Sequence, residues 1–192
     1  MQYFGGKAKI AKYIVPYLEG VRKENQIFIE PFVGGANIVS QMSGKRKAYD
    51  FNEYLIEMYK GVQNGYELPD SLTEEEYKYI REHKDEDKVL TGFVGFGCSF
   101  AGKWFGGYAR NKQNHNYCKA SKNSLMKKMS TMADVEFDWR DYKSLFLLVN
   151  YPLYLNNFST LLHTLSDLSL IFVLVGISKT LTKSSGASYS DM

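Results

Sequence analysis

The first quarter of the chain alternates between helical periodicity and short apolar runs. KIAKYIVPYL places apolar residues at helical spacing and predicts a helix, with Pro16 disturbing its later part. IFIEPFV predicts a buried strand that ends at Pro31 and the following glycines, ANIVSQM predicts a second helix, and KAYDFN predicts a short strand that ends near Asp50. This order indicates the start of a doubly wound α/β sheet, in which a ligand lies beyond the carboxyl ends of the strands.

The next segments predict helices separated by a long irregular stretch. EYLIEMYKGVQNG has helical period, and TEEEYKYIREHK predicts a helix with a capping box from Thr73 to Glu76. From Thr91 to Asn116 the chain is rich in glycine and aromatic residues and has no clean period, which predicts an elaborate functional loop. NSLMKKMSTM predicts a return to helix, and VEFDWRDYKSL predicts a further strand and turn.

Composition narrows the class of protein. With 192 residues, 44% of them hydrophobic, the chain is long enough for one domain with a full core and an insertion. Its two cysteines, Cys98 and Cys118, have neither the spacing of a zinc site nor the density of a disulfide scaffold. We therefore expect no metal site and a reducing cytoplasm, and the polar start of the sequence indicates no signal peptide.

Charge is distributed unevenly although the net charge is only +3. Nine acidic residues fall between Glu67 and Asp87, whereas no acidic residue lies between Asp87 and Asp134. Eight lysines and arginines occupy that acid-free segment. Basic side chains interleaved with aromatic residues favour a nucleic-acid contact. An ordinary solvated face with a lysine-rich helix is the alternative.

Two glycine pairs near the start carry the candidate chemistry. YFGGK stands at positions 3–7, and FVGG follows the first predicted strand. Asp50, at the end of the next strand, comes 16 residues after Gly34. Glycines that let the backbone approach a ligand, followed by an acid that accepts from ribose hydroxyls, are typical of a nucleoside site. The pattern is not GxGxxG, so nucleoside cofactors other than a dinucleotide stay open, as does a plain strand turn with a solvated aspartate.

Five segments together resemble the Dam-type (D12 class) DNA adenine-N6 methyltransferases. They are YFGGK, IEPFVGGANI, YDFNEYLI, the recognition-like FAGKWFGGYAR and RDY. The resemblance implies an α/β fold: a Rossmann-like core that depends on S-adenosylmethionine, with a small helical and loop insertion for DNA recognition. It implies the cofactor S-adenosylmethionine and, as partner, double-stranded DNA in the cytoplasm of a bacterial or phage-infected cell. The sequence does not fix the oligomeric state, and a monomer is the expectation.

The resemblance also implies roles for individual residues. Asp50 would accept hydrogen bonds from the ribose hydroxyls of the cofactor, and Glu30 would lie near its methionine end. Ala36 is a departure, because many members have a glycine at this position. The implied cofactor-binding residues are Tyr3, Gly5, Gly6, Lys7, Glu30, Pro31, Phe32, Gly34, Asp50, Asp141 and Tyr142. Taken singly, Lys7 could be a surface lysine, Phe32 could be core, and Asp141 could begin a turn.

The DNA-binding residues are expected in the acid-free segment. Arg110 suits guanine recognition, and aromatic residues of the glycine loop could reach bases. The candidates are Lys103, Trp104, Tyr108, Arg110, Lys112, Lys119 and Lys122.

The family's catalytic tetrad, Asp-Pro-Pro-Tyr, is missing, so no catalytic residue is assigned. NYPLY at Asn150–Tyr154 has the wrong spacing and one proline. Composition also changes abruptly after Lys143, because the first 143 residues hold 41 charged residues and the remainder holds four. We hypothesise that residues from about Ser144 onward are not the family's sequence, for instance through a shifted reading frame.

These observations predict four regions and an impaired enzyme. The regions are 1–60 (cofactor-binding part of the core), 61–133 (recognition insertion), 134–143 (return to the core) and 144–192 (aberrant segment). The apolar run from Leu170 to Ile177 is too short to span a bilayer. The predicted function is adenine-N6 methylation of DNA with weak or absent turnover. The alternatives are a DNA-binding pseudoenzyme and a fragment too incomplete to fold stably.

Overall fold

The computed structural model describes residues 1–111, 115–148 and 174–176. These residues form a mixed α/β structure with one small sheet. In chain order the elements are α1 (Ala11–Val21), β1 (Ile27–Glu30), a 3-10 helix (Val39–Gln41), β2 (Arg46–Asp50), α2 (Glu53–Gln63), α3 (Glu74–Glu82), α4 (Lys88–Gly97), a second 3-10 helix (Phe100–Gly102), α5 (Tyr117–Met129), β3 (Glu136–Trp139), α6 (Tyr142–Leu148) and β4 (Leu174–Gly176).

The sheet brings the ends of three parallel strands to one edge. Its order is β3-β2-β1-β4, with β1, β2 and β3 parallel and β4 antiparallel to β1. Glu30, Asp50 and Trp139 are the last residues of the three parallel strands. This edge is where the alternation of helices and strands predicted a ligand.

The helix predicted from ANIVSQM is wrong, because only the 3-10 helix Val39–Gln41 forms there. Gly34 and Ala36 have φ angles of +44° and +52°, and a right-handed helix cannot contain such residues. The chain instead curls after β1, and the buried Glu30 side chain accepts from the Val39 backbone N–H at 2.9 Å.

The long loop predicted over Thr91–Asn116 is wrong in its first part, which belongs to α4. The Asp87 side chain caps this helix by accepting from Leu90 N at 2.9 Å. Glycine in α4 serves close packing: a Cβ added at Gly92 would lie 2.0 Å from the Tyr54 carbonyl oxygen. Only after Cys98 does the chain become irregular, with a bridge between Ser99 and Tyr108.

The other predicted elements are confirmed where they are described. Helix α1 runs through Pro16 to Val21, and α2, α3, α5 and all three parallel strands form at the predicted places. The capping box of α3 is present, with Glu76 N donating to Thr73 Oγ1 at 3.1 Å and Thr73 N donating to Glu76 Oε2 at 2.7 Å. The turn predicted after β3 leads directly into α6, which the sequence pattern did not indicate.

Helix α2 lies at the centre of the core. Its Leu55, Ile56, Met58 and Tyr59 side chains are fully buried. The Tyr59 ring stacks on Phe137 of β3, with ring centroids 4.7 Å apart. Burial of large side chains from one helix against the sheet is the main stabilising contribution expected for such a core.

Little of the C-terminal segment is described. Strand β4 lies within the apolar run Leu170–Ile177. The remainder of that run and the NYPLY stretch lie outside the described residues. Among the residues that the structure describes, no helix combines the length and apolar character needed to cross a bilayer.

Candidate functional site

A cavity of about 410 Å³ opens at the carboxyl edge of the parallel strands. Its volume falls in the range of roughly 300–1,000 Å³ that is usual for small-molecule sites. The lining residues come from the N-terminal segment, the turn after β1 and the end of β2: Tyr3, Phe4, Gly5, Gly6, Lys7, Glu30, Phe32, Val33, Gly34, Gly35, Asn37 and Asp50. Eight of the eleven predicted cofactor residues line this cavity, and Pro31 is buried between two of them.

The turn after β1 fits closely against Tyr3. A Cβ added at Gly34 would lie 2.9 Å from the Tyr3 ring, and one added at Gly35 would lie 2.9 Å from the Tyr3 Cβ. The Gly34 carbonyl oxygen accepts from the buried Tyr59 hydroxyl at 2.7 Å. Glycine is required at this turn both by the positive φ of Gly34 and by the approach of the aromatic ring.

Asp50 is held by backbone amides from two directions. Its Oδ2 accepts from Gly34 N at 3.0 Å, and its Oδ1 accepts from Asn52 N at 3.0 Å. Burial raises the pKa of Asp50, although these backbone hydrogen bonds oppose the shift. The carboxyl group is therefore fixed in position at the cavity wall, and its remaining lone pairs can accept from a ligand.

Glu30 is a buried carboxyl group in the lining of the same cavity. The residue is only 3% exposed, and its Oε2 accepts from Val39 N at 2.9 Å. Burial raises the pKa of Glu30 to about 8, while the hydrogen bond from Val39 and the charge of Lys7 act in the opposite direction. The buried side chain therefore binds a proton more readily than an exposed glutamate, and in the protonated form it can donate a hydrogen bond as well as accept one.

Asp141 and Tyr142 lie beside the cavity and not in its lining. The Tyr142 ring contacts the Phe32 ring with centroids 5.2 Å apart. The exposed Asp141 side chain accepts from Lys143 N at 2.9 Å. Arg140 N donates to the Asp50 carbonyl oxygen at 3.2 Å, so the chain between β3 and α6 passes next to the end of β2.

Three residues of the site were missed by sequence reasoning. Asn37 lines the cavity, Tyr59 holds the glycine turn from α2, and Lys128 of α5 donates to the Gly35 carbonyl oxygen at 2.5 Å and to Asn37 Oδ1 at 2.7 Å. Asn37 could have been found by its place directly after the glycine turn. Lys128 is about 90 residues away along the chain, and no local pattern marks it.

The irregular segment after α4 reaches the rim of the cavity. The Gly102 carbonyl oxygen accepts from Phe4 N at 2.9 Å. Lys103 places its ammonium group over the Phe4 ring, 4.7 Å from the centroid. The Phe4 side chain is 61% exposed. Lys103, predicted to bind DNA, therefore lies next to a cavity-lining residue.

The two aromatic DNA candidates contact the protein itself. Trp104 stacks on Tyr54 with ring centroids 5.5 Å apart and is in contact with Phe96. The Tyr108 hydroxyl donates to the Leu72 carbonyl oxygen at 2.5 Å. Both rings are partly buried against the core. Their role at DNA bases stays a prediction.

The acidic segment faces part of the basic one. Arg110 forms an ion pair with Glu74 at 2.8 Å, and Lys122 forms one with Asp70 at 2.8 Å. Lys119 is exposed and, within the described part of the chain, has no ion pair. Lys112 lies outside the described residues. The predicted DNA-binding cations thus differ in how far they are already neutralised.

Comparison with known proteins gives one family. The model of the D12 class N6 adenine-specific DNA methyltransferases matches residues 3–154 of the chain. This range includes the whole cavity and the predicted recognition segment. It also extends ten residues past Ser144, so the end of the match and the change in composition do not coincide. No curated protein matches the chain.

Proposed function

The chain belongs to the D12 class N6 adenine-specific DNA methyltransferase family, and we propose that its cavity binds S-adenosylmethionine beside a surface for double-stranded DNA. One observation carries this proposal. Tyr3, Glu30, Phe32 and Asp50, which lie up to 47 positions apart in the sequence, line a single cavity at the strand ends. This is the position at which open α/β sheets bind nucleoside cofactors, so we also propose a Rossmann-like core.

The polar groups of the cavity suit the parts of this cofactor. Asp50 would accept from the ribose hydroxyls, since its carboxylate is held in place and faces the cavity. Glu30 and Lys7 would lie near the charged methionine end. Phe32 would lie against the cofactor, and Asp141 with Tyr142, whose ring contacts Phe32, would lie at its adenine. When bound, the cofactor supplies an electrophilic methyl group for transfer to an amine.

The proposed DNA surface includes Lys103 and the exposed lysines of α5. Lys103 stands at the cavity rim, and Lys119 is exposed on α5. Lysine side chains neutralise phosphates and give salt-dependent affinity without sequence choice. An adenine flipped from such a duplex would have to reach the cavity for methylation. We expect a monomer in the cytoplasm, where duplex DNA and a reducing environment for Cys98 and Cys118 are available.

Turnover is expected to be weak or absent. Methyl transfer requires acceptors that hold the target amine in line with the methyl group. The family supplies them with Asp-Pro-Pro-Tyr, but the four prolines of this chain stand singly at positions 16, 31, 69 and 152. A DNA-binding pseudoenzyme is therefore the second candidate, and the missing tetrad is the observation that favours it.

Transfer of a tritiated methyl group to adenine-containing duplex DNA distinguishes the two candidates. Binding of both the cofactor and DNA without label in the DNA supports the pseudoenzyme. Label in N6-methyladenine supports an enzyme that works without the tetrad. Absence of both binding events would contradict the proposed function in either form.

A further inference from the structure

Lys128 connects helix α5 to the wall of the cavity. Its ammonium group donates to the Gly35 carbonyl oxygen at 2.5 Å and to Asn37 Oδ1 at 2.7 Å. These two acceptors belong to the turn that follows β1, and both residues line the cavity. The donor comes from a different part of the chain, so this contact exists only when α5 is docked against the turn.

The contact holds the turn at the residue next to Gly34. Gly35 follows Gly34, whose N–H donates to Asp50 Oδ2 at 3.0 Å. Lys128 and Asp50 therefore hold adjacent residues of one turn. Burial lowers the pKa of Lys128, and the charge of Glu30 opposes that shift. A largely desolvated ammonium group needs its hydrogen-bond acceptors, so it resists leaving the turn.

A second contact docks the end of α5 on the same stretch of chain. Thr131 Oγ1, two residues after the helix, lies 2.8 Å from both the Ser40 and the Lys128 carbonyl oxygens, and its hydroxyl proton can donate to either. Ser40 belongs to the 3-10 helix that follows the turn. The C-terminal end of α5 is thus held at two points of the segment 35–40, and a shift of the helix would move this segment.

The same helix presents lysines to solvent. Lys119 and Lys127 are exposed, and neither forms an ion pair within the residues that the structure describes. Lys127 is the immediate neighbour of Lys128 in the sequence. A duplex that contacts these exposed lysines would act on the same rigid helix that holds the cavity wall.

We propose that Lys128 is a positioning residue through which duplex DNA bound to α5 raises the affinity of the cavity for its nucleoside cofactor. The inference rests on the proposed function, because it requires both ligands. Binding energies coupled in this way are reciprocal, so the cofactor must raise the affinity for DNA by the same factor. In this proposal Lys128 acts through its hydrogen bonds to the turn.

The test compares Lys128→Met with Lys127→Met in the full chain. S-adenosylmethionine is titrated calorimetrically with and without saturating duplex DNA. In the unaltered chain we expect cofactor affinity to rise at least about fivefold with DNA, which is the lower end of usual allosteric couplings. In Lys128→Met the ratio of cofactor affinity with DNA to cofactor affinity without DNA should be close to one. Lys127→Met should weaken DNA binding but leave the ratio unchanged once DNA is saturating.

Hydrogen exchange gives a readout that does not depend on either ligand. Peptides covering residues 33–41 should exchange faster in Lys128→Met than in Lys127→Met, while peptides from α2 should be unchanged. If the methionine variant does not fold, Lys128→Ala carries the test, because it removes both hydrogen bonds to the turn without placing a long apolar side chain there. An unaltered coupling ratio in a folded Lys128 variant overturns the inference.

The two proposals fail in different ways. If the unaltered chain binds no cofactor, the proposed function falls and the coupling falls with it. If it binds cofactor and DNA independently, with a ratio near one, only the coupling is overturned.

Discussion

Asp50 and Gly34 are joined by a hydrogen bond in which the Gly34 backbone N–H donates to Asp50 Oδ2 at 3.0 Å. The bond ties the end of β2 to the turn after β1, and the Tyr59 hydroxyl holds the same glycine from its carbonyl side at 2.7 Å. Neighbouring parallel strands thus share one rigid wall of the cavity.

Gly34→Ala should destabilise the protein more than Gly65→Ala does. Both glycines have a positive φ, at +44° and +87°, but a Cβ at Gly34 would lie 2.9 Å from the Tyr3 ring, whereas a Cβ at Gly65 has open space. Left-handed strain alone costs about 1–2 kcal/mol, and overpacking adds about 1–3 kcal/mol. Urea denaturation of both variants measures the difference in the free energy of unfolding.

The double variant Tyr3→Ala with Gly34→Ala isolates the steric part of that cost. Removing the ring should recover the overpacking contribution, so the two substitutions should be less damaging together than the sum of their separate effects. Equal destabilisation by Gly34→Ala and Gly65→Ala would mean that Tyr3 does not pack on the turn.

Stability should fall as pH rises because of Glu30. The folded protein raises the pKa of this carboxyl to about 8 from an ordinary value of 4.5, chiefly through burial. Between these two values the folded state keeps a proton that the unfolded state has lost. Stability from this group is therefore fully present below pH 4.5 and is lost progressively up to about pH 8, with a slope of ~1 kcal/mol per pH unit.

Glu30→Gln is the control for the pH dependence. The amide oxygen can still accept from Val39 N, but the side chain no longer titrates. The free energy of unfolding is measured for both proteins from about pH 5 to pH 8. As pH rises, the value for the variant should increase relative to that of the unaltered chain. A difference that stays constant over this range would show that Glu30 does not carry a raised pKa.

Asp70→Asn should strengthen DNA binding. Asp70 neutralises Lys122 through a 2.8 Å ion pair, so the substitution releases a cation that can pair with a phosphate. Lys119→Gln should have the opposite effect, because an exposed lysine is removed. For each additional phosphate that the protein neutralises, the slope of log K against log salt concentration steepens by ~0.9.

A matched charge control separates a local contact from net charge. Glu24→Gln raises the net charge by the same amount as Asp70→Asn, at an exposed residue that forms no ion pair in the described part of the chain. Fluorescence anisotropy titrations at several salt concentrations should give a steeper slope for Asp70→Asn than for Glu24→Gln. Equal slopes would remove Lys122 from the proposed DNA surface.

The cavity could be predicted from sequence where its residues form local patterns. The glycine turn and Asp50 lie at strand ends, and parallel strands bring such ends together, so the pattern of apolar runs predicted that they share one edge. The other predicted lining residues were assigned only through the family resemblance. Lys128 could not be predicted, because its contact with Gly35 depends on how α5 docks against the turn. Arg110 and Lys122 could be identified as cations, but their ion pairs with the acidic segment depend on tertiary structure.

Glycine was the main source of error in predicting the elements. The glycines of α4 suggested a loop, yet Gly92 and Gly95 lie in a helix. Glycine is needed at these two positions because Tyr54 and Trp104 come too close for any side chain. The stretch after Gly34 suggested a helix, yet positive φ angles at Gly34 and Ala36 prevent one. Glycine thus allows close packing within a helix in the first case and forms a turn in the second. The tertiary contacts of each glycine distinguish the two cases, and the local sequence does not.

Calorimetric titration of S-adenosylmethionine into the unaltered chain, Asp50→Asn and Glu24→Gln tests the proposed cofactor site most directly. We expect one binding site in the unaltered chain and in Glu24→Gln. In Asp50→Asn the affinity should be at least about tenfold lower, since an amide loses a charge-assisted acceptor for ribose hydroxyls. Equal affinity in all three proteins, or no binding to the unaltered chain, would contradict a nucleoside site built around Asp50.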